Sequence, residues 1–326
     1  MSFWTGISAA SFVEHARLNG CSTPITMITE DRLPPYDRVL LSKVVDVDVA
    51  HRLVYLSSGE SMKYSKLVLA IGCAARKLSI PGGNLRNVYT LRVVDEANAI
   101  AEASIGKHVV CIGGSFIGME IASSLVLTAA SVTVRFEAKG IQVIVNDSVE
   151  QLEGDVAVSS VILKSGIALR ADVVVVGIGV EPPTEWLKNT SVEMDERGFI
   201  KVDRLFRTTA DWVYAIGDVV SAPLPLWDID SINIQHFQTA QTHGQLLGYS
   251  IVGRPFPHPV VPFFWTLLFF EFGVKFAGVS NAVHFAVISK TDILDEQSRD
   301  VTLFSIDAKA DVQGDFALLR RLERSS

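Results

Sequence analysis

The chain has 326 residues, enough for about two domains with their own cores, so neither a disulfide nor a metal is needed as a staple. With 48% hydrophobic and 20% charged residues, it does not have the composition of a disordered chain. A net charge of −7 leaves it without the basic field of a nucleic-acid binder, so no nucleic-acid partner is expected.

The three cysteines, Cys21, Cys73 and Cys111, stand far apart and form neither a CxxC pair nor a zinc spacing. No metal site is expected, and redox chemistry falls to a bound cofactor. No stretch reaches the ~20 apolar residues that cross a bilayer. The nearest, 260–270, is interrupted by Pro262. No targeting signal is legible, which makes the cytoplasm the expected location.

Runs rich in Val, Ile and Leu alternate with helical patterns. Strands are expected at 25–29, 53–56, 67–71, 108–112, 132–134, 141–145, 161–164, 173–178 and 213–216. Several are apolar at every position, as in strands covered on both faces, so the expected class is α/β with parallel sheets. After about residue 256 the texture turns aromatic. There 283–289 and 300–306 read as antiparallel strands of a small α+β piece. Two similar strand–glycine units stand out along the chain.

The clearest unit reads strand (HVVCI), turn (GGSFIG), helix (MEIASSLVL), strand (SVTV). In such a turn Gly113 makes the tight bend and Gly118 lets helix pack on strand, while the middle position brings backbone to a pyrophosphate. Ser115 occupies that middle position. Its Cβ takes room, and its hydroxyl is available to a phosphate. The bland alternative is an ordinary βα turn. A ribose-binding acid is expected after the strand 131–134, but Arg135-Phe136 stand there and Glu137 is out of place.

Two further signals flank this unit. The strand 25–29 leads to Glu30-Asp31, a carboxylate placed to grip a ribose, and then through Pro34-Pro35-Tyr36 to Arg38 and Lys43. The strand 213–216 leads to Gly217-Asp218, a glycine for close cofactor approach and an acceptor for a sugar-like chain. Taken singly, these also read as a proline-rich loop and an Asp cap. His236 and His243 lack metal-like spacing and read as structural or surface residues. Phe263, Phe264, Trp265, Phe269 and Phe270 read as core or interface packing, with an exposed patch as the alternative.

In their order, ITMITEDRLPPYDRVLLSK, LVLAIG with PGGNLRNVYTLR, GGSFIGMEIA, ADVVVVGIGVEPPT, ERGFIKVD, VYAIGDVV and VPFFWT carry a resemblance over most of the chain. The chain resembles the flavin-dependent pyridine-nucleotide oxidoreductases, in the branch of ferredoxin reductases and apoptosis-inducing-factor-like proteins. The resemblance implies a glutathione-reductase-like fold with two Rossmann-like dinucleotide-binding domains and a small α+β C-terminal domain. Its expected boundaries are 1–96 and 181–255 for FAD, 97–180 for NAD(P), and 256–326 for the interface domain. It also implies FAD and NAD(P)H as cofactors, with hydride passing from nicotinamide to flavin. Electrons would go on to an acceptor, small molecule or redox protein, that the sequence does not name. A homodimer and a mitochondrial address are further family options.

By matching position, Gly6 and Ala9 fall in the FAD pyrophosphate turn, and Glu30 would bind the FAD ribose. Arg38 and Lys43 would approach the flavin, Gly217 and Asp218 would meet the ribityl chain, and Trp265 would border the flavin. Lys43 and Glu120 would form the catalytic pair beside flavin N5 and the nicotinamide. Gly113, Ser115, Gly118, Gly177 and Gly179 would line the nicotinamide nucleotide path.

Departures from the family pattern are also legible. Only Trp4-Thr5-Gly6-Ile7-Ser8-Ala9 aligns with the first glycine turn, with Trp4 at the first glycine, so the central strand before it is expected to be missing. The junction at 131–135 shortens the NAD(P) domain, and Phe237 replaces the usual Trp of an HWQ motif. The rival expectation is therefore a shortened form or gene-model fragment without FAD, acting as a binding module. A plain NAD dehydrogenase without flavin leaves Glu30, Lys43 and Asp218 in family order unexplained.

Overall fold

The computed structural model describes residues 2–3, 6–28, 44–133, 141–142, 144, 146–268, 272–279, 287–290 and 301–303. The chain begins with β1 (Ser2–Phe3), α1 (Ile7–Leu18), β2 (Met27–Ile28) and β3 (Leu67–Leu69). Then come β4 (Val88–Thr90), α2 (Val94–Ser104), β5 (His108–Ile112), α3 (Phe116–Leu125), β6 (Ser131–Thr133), β7 (Ile141–Gln142) and β8 (Val173–Val176). β9 (Val213–Ala215) and α4 (Phe237–Ser250) lead to β10 (Phe263–Leu268), β11 (Phe272–Ala277), β12 (Val287–Lys290) and β13 (Val301–Leu303).

Two parallel sheets dominate, ordered β9-β3-β1-β2 and β7-β6-β5-β8-β4. Each repeats one plan. A strand (β1 or β5) is followed by a helix (α1 or α3) and then by its neighbour on one side (β2 or β6). The neighbour on the other side (β3 or β8) arrives from later in the chain. The carboxyl ends of β1 and β5 are therefore topological switch points, where open α/β sheets form their binding crevices.

The first sheet corrects one expectation. The central strand is not missing: Ser2 pairs with Met27 and Val68, and Phe3 with Ile28 and Leu69. At these positions both neighbours keep a ladder partner, so their backbone groups are not orphaned. Two residues carry no readable period, which is why sequence pattern passes over them.

The second sheet owes its position to its all-apolar strands. β8 is buried at all four residues. With period two, Val109, Cys111, Val173 and Val175 face Ile100, Ile121 and Leu125 of α2 and α3. Val110, Val174 and Val176 face Leu152, Val161 and Leu163 of a three-stranded meander spanning 149–170. Val132 of β6 pairs in parallel with Ile141 of β7. Only residues 134–140 lie between these strands, where a helical crossover takes about a dozen or more.

Helix α4 crosses α1 at backbone contact. A Cβ on Gly244 would lie 2.2 Å from Ser8 O, and one on Gly248 would lie 2.7 Å from His15 Cβ. Two glycines four apart put bare backbone on one face of α4, and α1 is seated against it. Leu246 and Leu247 close the core around Ala9, Phe12 and Ala16. This packing holds the first turn of α1 beside the turn that follows β9.

Strands β10 to β13 form an antiparallel sheet in sequential order, in line with the runs 283–289 and 300–306. Among the described residues, no helix is long and apolar enough to cross a membrane.

Candidate cofactor and nucleotide site

At the carboxyl end of β1, Gly6 is the N-cap of α1 and provides no side-chain cap. The amides of that first turn lack intrahelical acceptors, and such helix starts bind anions. Ala9 lies fully buried one turn on. β9 runs into Gly217 and Asp218 directly opposite, where a Cβ on Gly217 would sit 2.8 Å from Ser8 Oγ. Gly217 N–H donates to His243 Nδ1 at 3.3 Å, which places the ring proton on Nε2. Burial pushes the His243 pKa down to about 4, so the ring is neutral at pH 7.

Asp218 is held from several sides. Its carbonyl accepts from Asn233 Nδ2 at 2.7 Å and from Cys73 Sγ at 3.4 Å. Its carboxylate lies 3.7 Å from Arg92 Nη2, with both side chains less than a fifth exposed. Arg92 Nη2 also donates to Cys73 O at 2.8 Å. Glu96 fixes Arg92 at the start of α2 by accepting from the Arg92 and Val93 amides at 2.6 and 3.2 Å, as a glutamate at the third helical position does. Around this turn Arg92 Nε, Gln238 Oε1 and Thr239 Oγ1 are buried without a hydrogen-bond partner. Buried polar atoms are normally paired; Tyr64 Oη and Ser104 Oγ are likewise buried without a partner elsewhere among the described residues.

The second crevice is a knot of backbone. A Cβ on Gly113 (φ +105°) would lie 2.3 Å from Gly177 O, and one on Gly118 would lie 2.3 Å from Gly113 O. Gly177 backs onto Gly118, where its Cβ would meet the Gly118 nitrogen at 3.1 Å. Ser115 caps α3 from within this knot. Its hydroxyl donates to Gly177 O at 2.7 Å and accepts from Gly118 N at 3.4 Å, capping α3. The hydroxyl thus ties the two glycine loops together and is already engaged within the protein. Gly179 (φ +99°) has open space where a Cβ would stand.

Glu120, one helical turn beyond the Ser115 cap, accepts at Oε1 from Thr266 Oγ1 at 2.5 Å. Trp265 is 45% exposed. Phe264 packs tilted against Phe116 with centroids 4.9 Å apart. His236, the N-cap of α4, has Nε2 3.2 Å from both backbone N and O of Trp265. It thereby joins α4 to β10. Glu30, Arg38 and Lys43 lie outside the described residues, as do Glu137, Phe269 and Phe270.

The structure thus brings Gly6, Ala9, Gly217 and Asp218 together in one crevice, and Gly113, Ser115, Gly118 and Gly177 in the other. Glu120 and Trp265 stand at the junction of α3, α4 and β10. Sequence reading passed over Arg92, Thr266, Gly244 and Gly248. Arg92 and Thr266 are the last residues of the quoted TLR and FFWT motifs. The Gly244–Gly248 spacing was readable as a close helix contact.

Residues 10–244 match the family model described as pyridine nucleotide-disulphide oxidoreductase. The chain belongs to the pyridine nucleotide-disulphide oxidoreductase family. It is 31% identical over 337 residues to apoptosis-inducing factor 3 of Homo sapiens, covering 87% of this chain and 56% of that relative. It is 31% identical over 251 residues to rubredoxin-NAD(+) reductase of Ectopseudomonas oleovorans, covering 70% of this chain and 64% of the relative. The chain spans little more than half the length of the first of these. A ferredoxin reductase from Rhodopseudomonas palustris shares the fold with a TM-score of 0.81 at 21% identity, over 94% of this chain and 88% of that one. The disulphide of the family name has no counterpart here. All three cysteines of this family member are free. Burial pushes the Cys111 pKa up to about 12, and burial with the Asp218 charge holds the Cys73 thiol far above its usual range.

Proposed function

We propose that the chain is an FAD-dependent NAD(P)H oxidoreductase that delivers electrons to an acceptor outside itself. The observation that carries this reading is the crevice at the end of β1. There an uncapped helix start lies against Gly217, next to Asp218 and its partner Arg92, with buried atoms of Arg92, Gln238 and Thr239 that lack partners. These groups fit FAD. The α1 amides would take the pyrophosphate, and Asp218, held by Arg92, would accept from the ribityl hydroxyls. Glu30 would bind the adenosine ribose, Arg38 and Lys43 would approach the flavin, and Trp265 would border it. The glycine knot at Gly113, Gly118 and Gly177, with the open Gly179, fits the backbone approach that a nicotinamide nucleotide needs. The boundaries 1–96 with 181–255, 97–180 and 256–326 divide the chain on this reading.

Bound FAD supplies a carrier that takes hydride from NAD(P)H and passes electrons on. The protein supplies placement. Lys43 and Glu120 would hold opposite charges steady at the transfer point. Ser115 locks the two glycine loops so that the nucleotide crevice keeps its shape. With protonated, buried Cys73 and Cys111 and no cysteine pair, no thiol relay carries electrons onward. The reducing equivalents would pass directly to the acceptor, and the name of the rubredoxin-NAD(+) reductase relative favours a small redox protein.

Replacing Asp218 by alanine tests this reading. Loss of a charge-assisted acceptor in a crevice is expected to weaken FAD retention at least ~10-fold. Flavin absorbance per protein after desalting, followed by FAD titration of the stripped protein, measures it. Unchanged FAD affinity would remove Asp218 from the site.

A further inference from the structure

We infer that Thr266 is a positioning residue whose hydroxyl fixes the Glu120 carboxylate at the point where, on the function proposed above, nicotinamide and flavin meet. The periods of a strand and a helix coincide here. Phe264 and Thr266, two apart, share one face of β10, and Phe116 and Glu120, four apart, share one face of α3. The faces meet pairwise, Phe264 with Phe116 at 4.9 Å and Thr266 Oγ1 with Glu120 Oε1 at 2.5 Å. Trp265, between them, belongs to the opposite face and is exposed.

Thr266 is suited to this role. It is only 4% exposed, and its backbone is held in register opposite Val274 of β11. Its single hydroxyl proton points at a carboxylate, and such charge-assisted bonds are roughly twice as strong as neutral ones. Glutamate is a rotamer-rich side chain that is costly to order. A fixed donor from a neighbouring sheet removes that freedom before any ligand arrives. The strand that carries the donor is itself pinned by His236 at Trp265. Glu120 is therefore set by a contact between the helix that leaves the nucleotide turn and the C-terminal sheet.

Thr266→Val removes the hydroxyl at nearly constant shape, and Thr266→Ser keeps it. At saturating NADH, the rate of flavin bleaching in the FAD-loaded protein is expected to fall about 10-fold in Thr266→Val, as for loss of a charge-assisted bond. The NADH KM should change less than about twofold. Flavin content should be unchanged, and Thr266→Ser should recover the rate. A wild-type rate in Thr266→Val, or no recovery in Thr266→Ser, would overturn the assignment. The contact has a second readout that needs no cofactor. Amide exchange across 263–268 in stripped protein is expected to quicken about 10-fold in Thr266→Val but not in Thr266→Ser. Equal exchange in all three proteins would overturn the contact itself. Wild-type protein that takes no flavin would defeat the proposed function, and the exchange result would still decide whether Thr266 holds α3.

Discussion

Between pH 6.5 and pH 4 the folded protein is expected to lose about 3 kcal/mol of stability through one side chain, His243. The ring is fully buried, and Nδ1 accepts from the Gly217 amide, so the native state holds it neutral. In the unfolded chain histidine takes a proton near its ordinary value of 6.5, whereas in the folded chain burial delays this to about 4. Below 6.5 the unfolded state therefore binds more protons, and stability falls with pH until the folded pKa is passed. Carboxylates with lowered pKa values, such as Asp172, which accepts from the His108 amide, act in a separate window below the ordinary 3.8. Urea midpoints at intervals from pH 7 to pH 4.5 measure the effect. His243→Gln keeps an acceptor for Gly217 and should flatten the curve. An equal slope in that variant would place the titration elsewhere. Because Gly217 adjoins Asp218, flavin loss is expected to follow the same pH curve.

Gly113→Ala is expected to be still more costly, by about 4 kcal/mol. Two penalties combine. The residue sits at φ +105°, where a side chain is strained. Its Cβ would also fall 2.3 Å from the Gly177 carbonyl oxygen, which is backbone and cannot rotate away. Relief requires the β5 turn and the loop after β8 to part, which also breaks the Ser115 bond to that carbonyl. NADH affinity should therefore fall together with the denaturation midpoint. A variant within about 1 kcal/mol of the parent would show that the turn yields easily and that its glycines are not what shapes the crevice.

Long apolar strands were legible because burial on both faces leaves an unbroken run. β5 and β8 fall within the expected runs 108–112 and 173–178. The glycine turns were legible too, since a backbone packed on backbone admits few residue types. What failed to show was relational. Ser2–Phe3 becomes a central strand only through Met27 and Val68, which a two-residue segment cannot announce. The role of Ser115 depends on a carbonyl 62 residues away. Thr266 and Glu120 meet across 146 residues, and the aromatic run beside Thr266, read as core or interface packing, gave no hint of that partner. Spacing read His243 as a structural or surface residue, but its hold on the Gly217 turn appears only once α4 is packed on α1.

The most direct test of the whole reading is the absorbance of purified, desalted protein between roughly 350 and 500 nm, before and after NADH. Two flavin bands that bleach on adding NADH are expected, and they would show both crevices at work in one chain. Protein that stays colourless after incubation with FAD would contradict it, leaving a family member whose first crevice no longer holds its cofactor.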